Sequence, residues 1–247
     1  VIEKGLLFLK EEYGHDLHFI KDAKDILTPT MLAEYPLFIN AKMNQIGNSN
    51  THIWFEKDVS ELQVTDIESY VRAGGGVIAL HAGNSYFWNE SEEYCRLSGC
   101  AFVKHPPRCA VTVRPVKKHP ITEGVSSFCI RDEHYEVDHL AEDAELLFES
   151  VSEAGGIQPA GYVRRLGKGR ICALMPGHIL SVFQNEEYKK NKTYPASHCM
   201  DDRKRKKRII RLALLRSKRN FWGTIIEPST PILFIISARH SCRASCR

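Results

Sequence analysis

No two cysteines in this sequence stand at CxxC spacing: the eight, at 95, 100, 109, 129, 172, 199, 242 and 246, are unevenly scattered. That supports neither a zinc ribbon nor a thioredoxin-type motif, and it suits small buried apolar side chains in a reducing compartment. Long hydrophobic runs are also missing. Toward the end the longest is Ile232 to Ile236, against the roughly 20 apolar residues that cross a bilayer. No charged-then-apolar leader opens the chain. A soluble, unsecreted, cytoplasmic protein with no membrane partner is therefore expected. Histidines never recur as HxH or HxxxH, so no local spacing points to a metal.

What is present suits one compact α/β domain with material left over: 247 residues, 43% hydrophobic and 26% charged. The net charge of +4 conceals a split. Residues 189 to 219 hold thirteen Lys or Arg against two acids, which leaves the rest of the chain at −7. The body is thus acidic, and the overall pI of 8.6 is no argument for nucleic acid. The run Arg203 to Arg208 is read as a solvated face or as sequence foreign to the fold, and a nucleic-acid partner is not expected.

Along the chain, Val1 to Gly14 carries Ile2, Leu6, Leu7 and Leu9 on a helical period that ends at a glycine. His15 to Lys21 alternates as a strand, Thr28-Pro29 starts a short helix, and Pro36 to Asn40 reads as a buried strand. Thr65 or Asp66 is placed to cap a helix with Ile67, Tyr70 and Val71 on one face. Gly74-Gly75-Gly76 ends it before the continuously apolar Val77-Ile78-Ala79-Leu80. A second helix spans Glu92 to Leu97 and stops at Gly99. Strands follow at 109 to 116, 128 to 130 and 145 to 151, then a hairpin of 161 to 166 and 169 to 175 turns at Gly167-Lys168-Gly169. Strands alternating with helices imply a parallel sheet. The body is expected to cover 1–190, with 191–247 a basic, poorly ordered or foreign extension.

The glycine triplets do not make a phosphate loop, which needs the order strand, glycines, helix. Gly74 to Gly76 follows a helix, and Gly167 to Gly169 joins two strands. Other positions hold more chemistry, because a doubly wound sheet gathers its site just past the carboxyl ends of strands. His81 follows Leu80, Asp132-Glu133 follows Ile130 with Tyr135 two residues on, and His178 follows Met175 through Pro176-Gly177. Imidazoles beside paired acids suit proton transfer, and two imidazoles with a carboxylate also suit a divalent metal, so the cofactor stays open. His105-Pro106-Pro107 and His119-Pro120 read as turns, since a residue before proline is held extended.

Several stretches together resemble the ThuA-like (trehalose-utilisation) family over about residues 15 to 190. They are Gly75 to Ala82, Tyr94 through Leu97 to Phe102, His105-Pro106, His119 to Gly124, Asp132 to Tyr135, Gly167 to Arg170 and Gly177-His178. The resemblance implies a flavodoxin-like, class I glutamine-amidotransferase-like α/β fold, with helices on both faces of a mostly parallel sheet. It also implies a role in bacterial catabolism of trehalose or keto-sugar derivatives. Relatives begin with a central first strand, and this chain starts at the helix after it. That strand is therefore expected to be missing, its place empty or taken by Pro231 to Ile236. Where amidotransferase relatives carry a nucleophilic cysteine, the turn here reads Leu80-His81-Ala82-Gly83, so no thioester chemistry is expected. The expectation is an enzyme acting on a small-molecule sugar by acid/base or metal-assisted chemistry. His81, Glu133 and His178 are the reacting or metal-binding set, positioned by Asp132 and Tyr135. The alternative is a non-catalytic carbohydrate-binding module that uses the same crevice.

Overall fold

The computed structural model describes residues 1–21, 23–47, 50, 52–190 and 231–236. Helices α1 (Ile2–Leu6) and α2 (Phe8–Glu11) are followed by Gly14, whose φ of 68° permits the turn into β1 (Asp16–Ile20). In α3 (Pro29–Glu34) the Thr28 hydroxyl accepts the Met31 N–H at 3.1 Å and Pro29 opens the first turn. β2 (Leu37–Ala41) follows, buried at every position. The N-cap of helix α4 (Val64–Arg72) falls two residues before Thr65 and three before Asp66, the expected caps. Gln63 is the N-cap, and its backbone N–H donates to Asp66 at 2.8 Å, so Asp66 closes a capping box from the third helical position.

β3 (Gly76–Leu80) leads through a 3₁₀ turn, His81–Asn84, into α5 (Trp88–Ser98). That helix begins four residues earlier than the period indicated, with a kink at Ser91, and ends at Gly99 with φ 98°. The chain continues as β4 (Ala101–Lys104), β5 (Cys109–Pro115), β6 (Phe128–Asp132), β7 (Glu136–Asp138), β8 (Glu145–Ser152), β9 (Gly156–Leu166) and β10 (Gly169–Leu174), then α6 (Leu180–Gln184) and β11 (Pro231–Ile236). β4, β7 and α6 are too short to have shown a period.

Among the described residues nine strands form one sheet in the order β1-β11-β2-β3-β10-β9-β8-β5-β6, and β4 pairs with β7 in a small second sheet. Pairings from β1 to β10 are parallel; those from β10 to β6 are antiparallel. The sequence period of two assigns the faces. Leu37 and Ile39 pack with Leu6, Leu9, Val182 and Phe183, whereas Phe38 packs on the other side with Leu32, Ile67 and Val71. Helices therefore cover both faces. No helix among the described residues is long and apolar enough to cross a membrane.

Of the two outcomes expected for the place of the missing first strand, an empty gap or Pro231–Ile236, the second is found. The central place beside β1 is filled, because β11 pairs in parallel with β1 on one side and β2 on the other. Pro231–Ile236 thus belongs to the sheet, which for these six residues corrects the reading of 191–247 as an extension outside the fold. Its unbroken apolar sequence is that of a parallel strand with neighbours on both sides. The basic run at 203 to 208, and the remainder of 191–230 and 237–247, lie outside the described residues. The glycine motifs meet each other and not a phosphate. A Cβ at Gly169 would lie 2.2 Å from the backbone oxygens of Val71 and Gly75, and Lys168 N–H donates to the Arg72 carbonyl at 3.0 Å. The hairpin turn thereby satisfies the carboxyl end of α4.

Candidate active site

The site sits beyond the carboxyl ends of β3 and β10, with β6 folded in from the far end of the sheet. Four strand spacings separate β10 from β6, about 19 Å in a flat sheet at roughly 4.8 Å each. Yet Asp132, the last residue of β6, accepts the Gly177 N–H at 2.7 Å and the His178 N–H at 3.0 Å. The antiparallel half must curl to allow this, as twisted sheets do.

His81 leaves β3 with φ 46°, in the left-handed region that few non-glycine residues enter, and this turns its imidazole back toward β10. Its Nδ1 lies 2.8 Å from the Met175 carbonyl. A carbonyl only accepts, so Nδ1 carries a hydrogen and Nε2 is the face turned to the site. Asn84 ties the two strand ends together by donating to Ala79 O at 2.9 Å and Leu174 O at 3.1 Å. Gly177 has φ 151°, and a Cβ there would lie 3.0 Å from that of His81, so a glycine lets the two loops touch. The Tyr188 hydroxyl donates to the Pro176 carbonyl and holds the same loop from behind.

Glu133 is the hub. Its Oε1 lies 2.9 Å from His178 Nδ1 and its Oε2 3.4 Å from His81 Nε2. Tyr135 places its hydroxyl 3.3 Å from the same His81 nitrogen, ring centroids 4.7 Å apart. The rings of His81 and His178 are 5.4 Å apart. One donor atom each from His81, Glu133 and His178 all fall within 4.8 Å of one another. The expected residues are thus brought together, although Asp132 reaches the centre only through the backbone of 177–178.

Electrostatics follow from this packing. Burial works against charge on Glu133, but the hydrogen bonds and positive potential of His178 and His81 outweigh it and hold the carboxyl well below the usual range. Burial likewise opposes charge on His81, and Glu133, Asp132 and the Met175 carbonyl together push its pKa up. Asp132 is raised by burial, against the pull of His81 and the amides it accepts. Burial, then the charges of Glu133 and Asp132, raise Tyr135 well above an ordinary phenol. The thiols nearest the turn in sequence are held in the protonated form: burial pushes Cys95 up to about 12 and Cys100 up to about 11.

One site residue was hidden in the sequence. His105, read as part of a proline turn, follows β4 and brings Nε2 to 3.7 Å from Glu133 Oε2. Its one sequence signal was its place in the string of motifs. His134, beside Glu133 in that string, points away and is held between the hydroxyls of Ser150 at 2.9 Å and Ser152 at 2.6 Å.

Fold and site define an α/β protein with a histidine–carboxylate centre in the crevice beyond its strand ends. The trehalose-utilisation (ThuA) family profile matches residues 3–192, and the chain belongs to that family. No curated protein matches it. Among solved structures it is similar to a ThuA-like protein of Bacteroides uniformis ATCC 8492 (TM-score 0.53, 21% identity, 68% of this chain and 70% of that one). It is also similar to a ThuA-like protein of Parabacteroides merdae ATCC 43184 (TM-score 0.63, 15% identity, 80% and 83%). A third is a protein of Salmonella typhimurium LT2 described as cytoplasmic (TM-score 0.62, 14% identity, 80% and 86%). At these identities what is shared is the fold.

Proposed function

We propose that this protein is an enzyme of carbohydrate metabolism that acts on a sugar or its keto form through a centre built from His81, Glu133 and His178. Trehalose and keto-disaccharides are the substrate class suggested by the family to which it belongs. One observation carries the reading. With Nδ1 committed to the Met175 carbonyl, the Nε2 of a neutral His81 is a lone pair, and it faces a carboxylate oxygen at 3.4 Å. Two acceptors so placed need a cation between them, either a proton or a metal ion.

The donor set fits a divalent ion: two imidazoles and one carboxylate, mutually close, with the second nitrogen of His81 on the Met175 carbonyl and the backbone N–H of His178 on the Asp132 carboxylate. Such an ion, when bound, supplies Lewis acidity toward a sugar hydroxyl or carbonyl oxygen. The chain's own groups do the rest. Asp132 fixes the 177–178 backbone and so aims His178, whose side chain is 29% exposed and open to a substrate. Glu133, held ionised, is a weak base and serves as the anionic partner of His81 and His178, and the Tyr135 hydroxyl orients His81.

The test is turnover of trehalose and keto-disaccharides by metal-supplemented protein beside Glu133→Gln. Turnover by the parent that falls by about a hundredfold or more in the variant supports the reading. Sugar binding without turnover, merely weakened in the variant, would instead make this a carbohydrate-binding module.

A further inference from the structure

We propose that His105 is a fourth, exchangeable protein ligand that closes the solvent side of the His81–Glu133–His178 centre; this rests on the metal-binding reading of that centre. His105 Nε2 and His81 Nε2 approach the same carboxylate oxygen, Glu133 Oε2, at 3.7 and 3.4 Å. Two donors on one ion, with bonds of about 2.0–2.2 Å, stand roughly 3–4.4 Å apart, and both distances fall in that interval. The protonation logic of His81 repeats here. His105 Nδ1 lies 2.8 Å from the Pro106 carbonyl, which can only accept, so Nδ1 carries a hydrogen and Nε2 is the nitrogen turned to the carboxylate. One carboxylate oxygen therefore faces two imidazole Nε2 atoms, an arrangement that a shared cation satisfies.

Position explains why the ligand would be exchangeable. His105 stands outside the set of donors that lie within 4.8 Å of one another, so it joins the shell from one side, through its approach to Glu133, only when its side chain moves inward. Its side chain is 35% exposed, against 7% for His81. It is thus the group that an incoming sugar oxygen meets first and displaces. Its backbone is nevertheless fixed: Pro106 holds His105 extended, and β4 is tied to β7. The imidazole stacks on Tyr135 with 20° between planes and centroids 5.7 Å apart. The restriction that marked this residue as a turn is what aims its ring.

Cobalt(II) is the probe, read by its visible absorption and by equilibrium affinity. The full chain is compared with His105→Ala, with His105→Phe, which keeps the stacking on Tyr135, and with Glu133→Gln. Far-UV circular dichroism checks each fold. Both His105 variants should bind cobalt roughly tenfold or more weakly with an altered spectrum. Added imidazole should restore the parent spectrum in His105→Ala, which a merely structural role would not allow. Parent-like affinity and spectrum in both variants, while Glu133→Gln loses the metal, would overturn the proposal and leave the three-residue centre standing. Tighter binding in the variants would also overturn it, by showing that His105 is a cation competing with the metal. If the parent binds no cobalt, the reading of the centre fails and this inference fails with it.

Discussion

Replacing Asp132 with alanine removes the acceptor of two backbone N–H groups, those of Gly177 and His178, at 2.7 and 3.0 Å in a site where the aspartate is 1% exposed. Hydrogen bonds to a charged group contribute about 1.5–3 kcal/mol each, which sets an upper bound of roughly 3–6 kcal/mol. The same burial raises the aspartate's own pKa, so part of that gain is offset by the cost of keeping the carboxylate out of water. A net loss of about 2–4 kcal/mol is expected. At about 2–4 °C per kcal/mol for a domain of this size, Tm should fall by roughly 5–15 °C. The Asp132→Asn substitution should recover only part of this, because the side-chain amide nitrogen cannot accept from a backbone donor. Thermal and urea unfolding of parent, Asp132→Ala and Asp132→Asn provide the assay. A shift in Tm within about 1 °C for the alanine variant would show that the 177–178 loop is held by other means, and would refute this account of how His178 is aimed.

Further outcomes follow from the same structure. Leu233→Pro deletes a ladder N–H in a strand with partners on both sides, so cooperative unfolding should be lost or shifted strongly downward; an unchanged melting curve would remove β11 from the sheet. His134 is buried and its folded pKa is lowered by burial, so the unfolded chain binds the proton first. Its stability contribution is present above about pH 6.5 and is lost as pH falls through the window below. Stability should therefore drop more steeply from pH 7 to 5 in the parent than in His134→Gln, and equal slopes would contradict this. Alkylation should modify exposed Cys129 well before buried Cys95 and Cys100, with no loss of the site's metal or sugar binding. Loss of either on modifying Cys95 or Cys100, fold intact, would speak for a thiol at the site.

Legibility divides by sequence distance. β2 and β3 were evident as buried, largely apolar runs because a strand buried on both faces leaves that local trace, and β10 as the second arm of the hairpin at Gly167-Lys168-Gly169. The ends of those strands then pointed to His81 and His178, and the acidic pair with Tyr135 was visible for the same reason. Contacts between distant segments left no such trace. Nothing local shows that the antiparallel half curls until β6 meets the loop after β10. The four residues of β4 and three of β7 have no period to read, so the small sheet that carries His105 and Tyr135 was invisible and His105 passed as a turn. The apolar run at 231 to 236 was recognised as β-rich, but its place between β1 and β2 depends on a vacancy some 200 residues away. The early start of α5 was missed because Trp88-Asn89-Glu90 adds no apolar period of its own.

The central claim is that His81, Glu133 and His178 form one cation-binding centre, and anomalous diffraction from a crystal soaked in cobalt or zinc tests it most directly. A single peak within about 2.0–2.2 Å of a nitrogen of each histidine and an oxygen of Glu133 is the predicted result, with the peak absent from crystals of Glu133→Gln. A metal bound elsewhere, or an imidazole–carboxylate cluster that stays free of metal under the same soak, would contradict it.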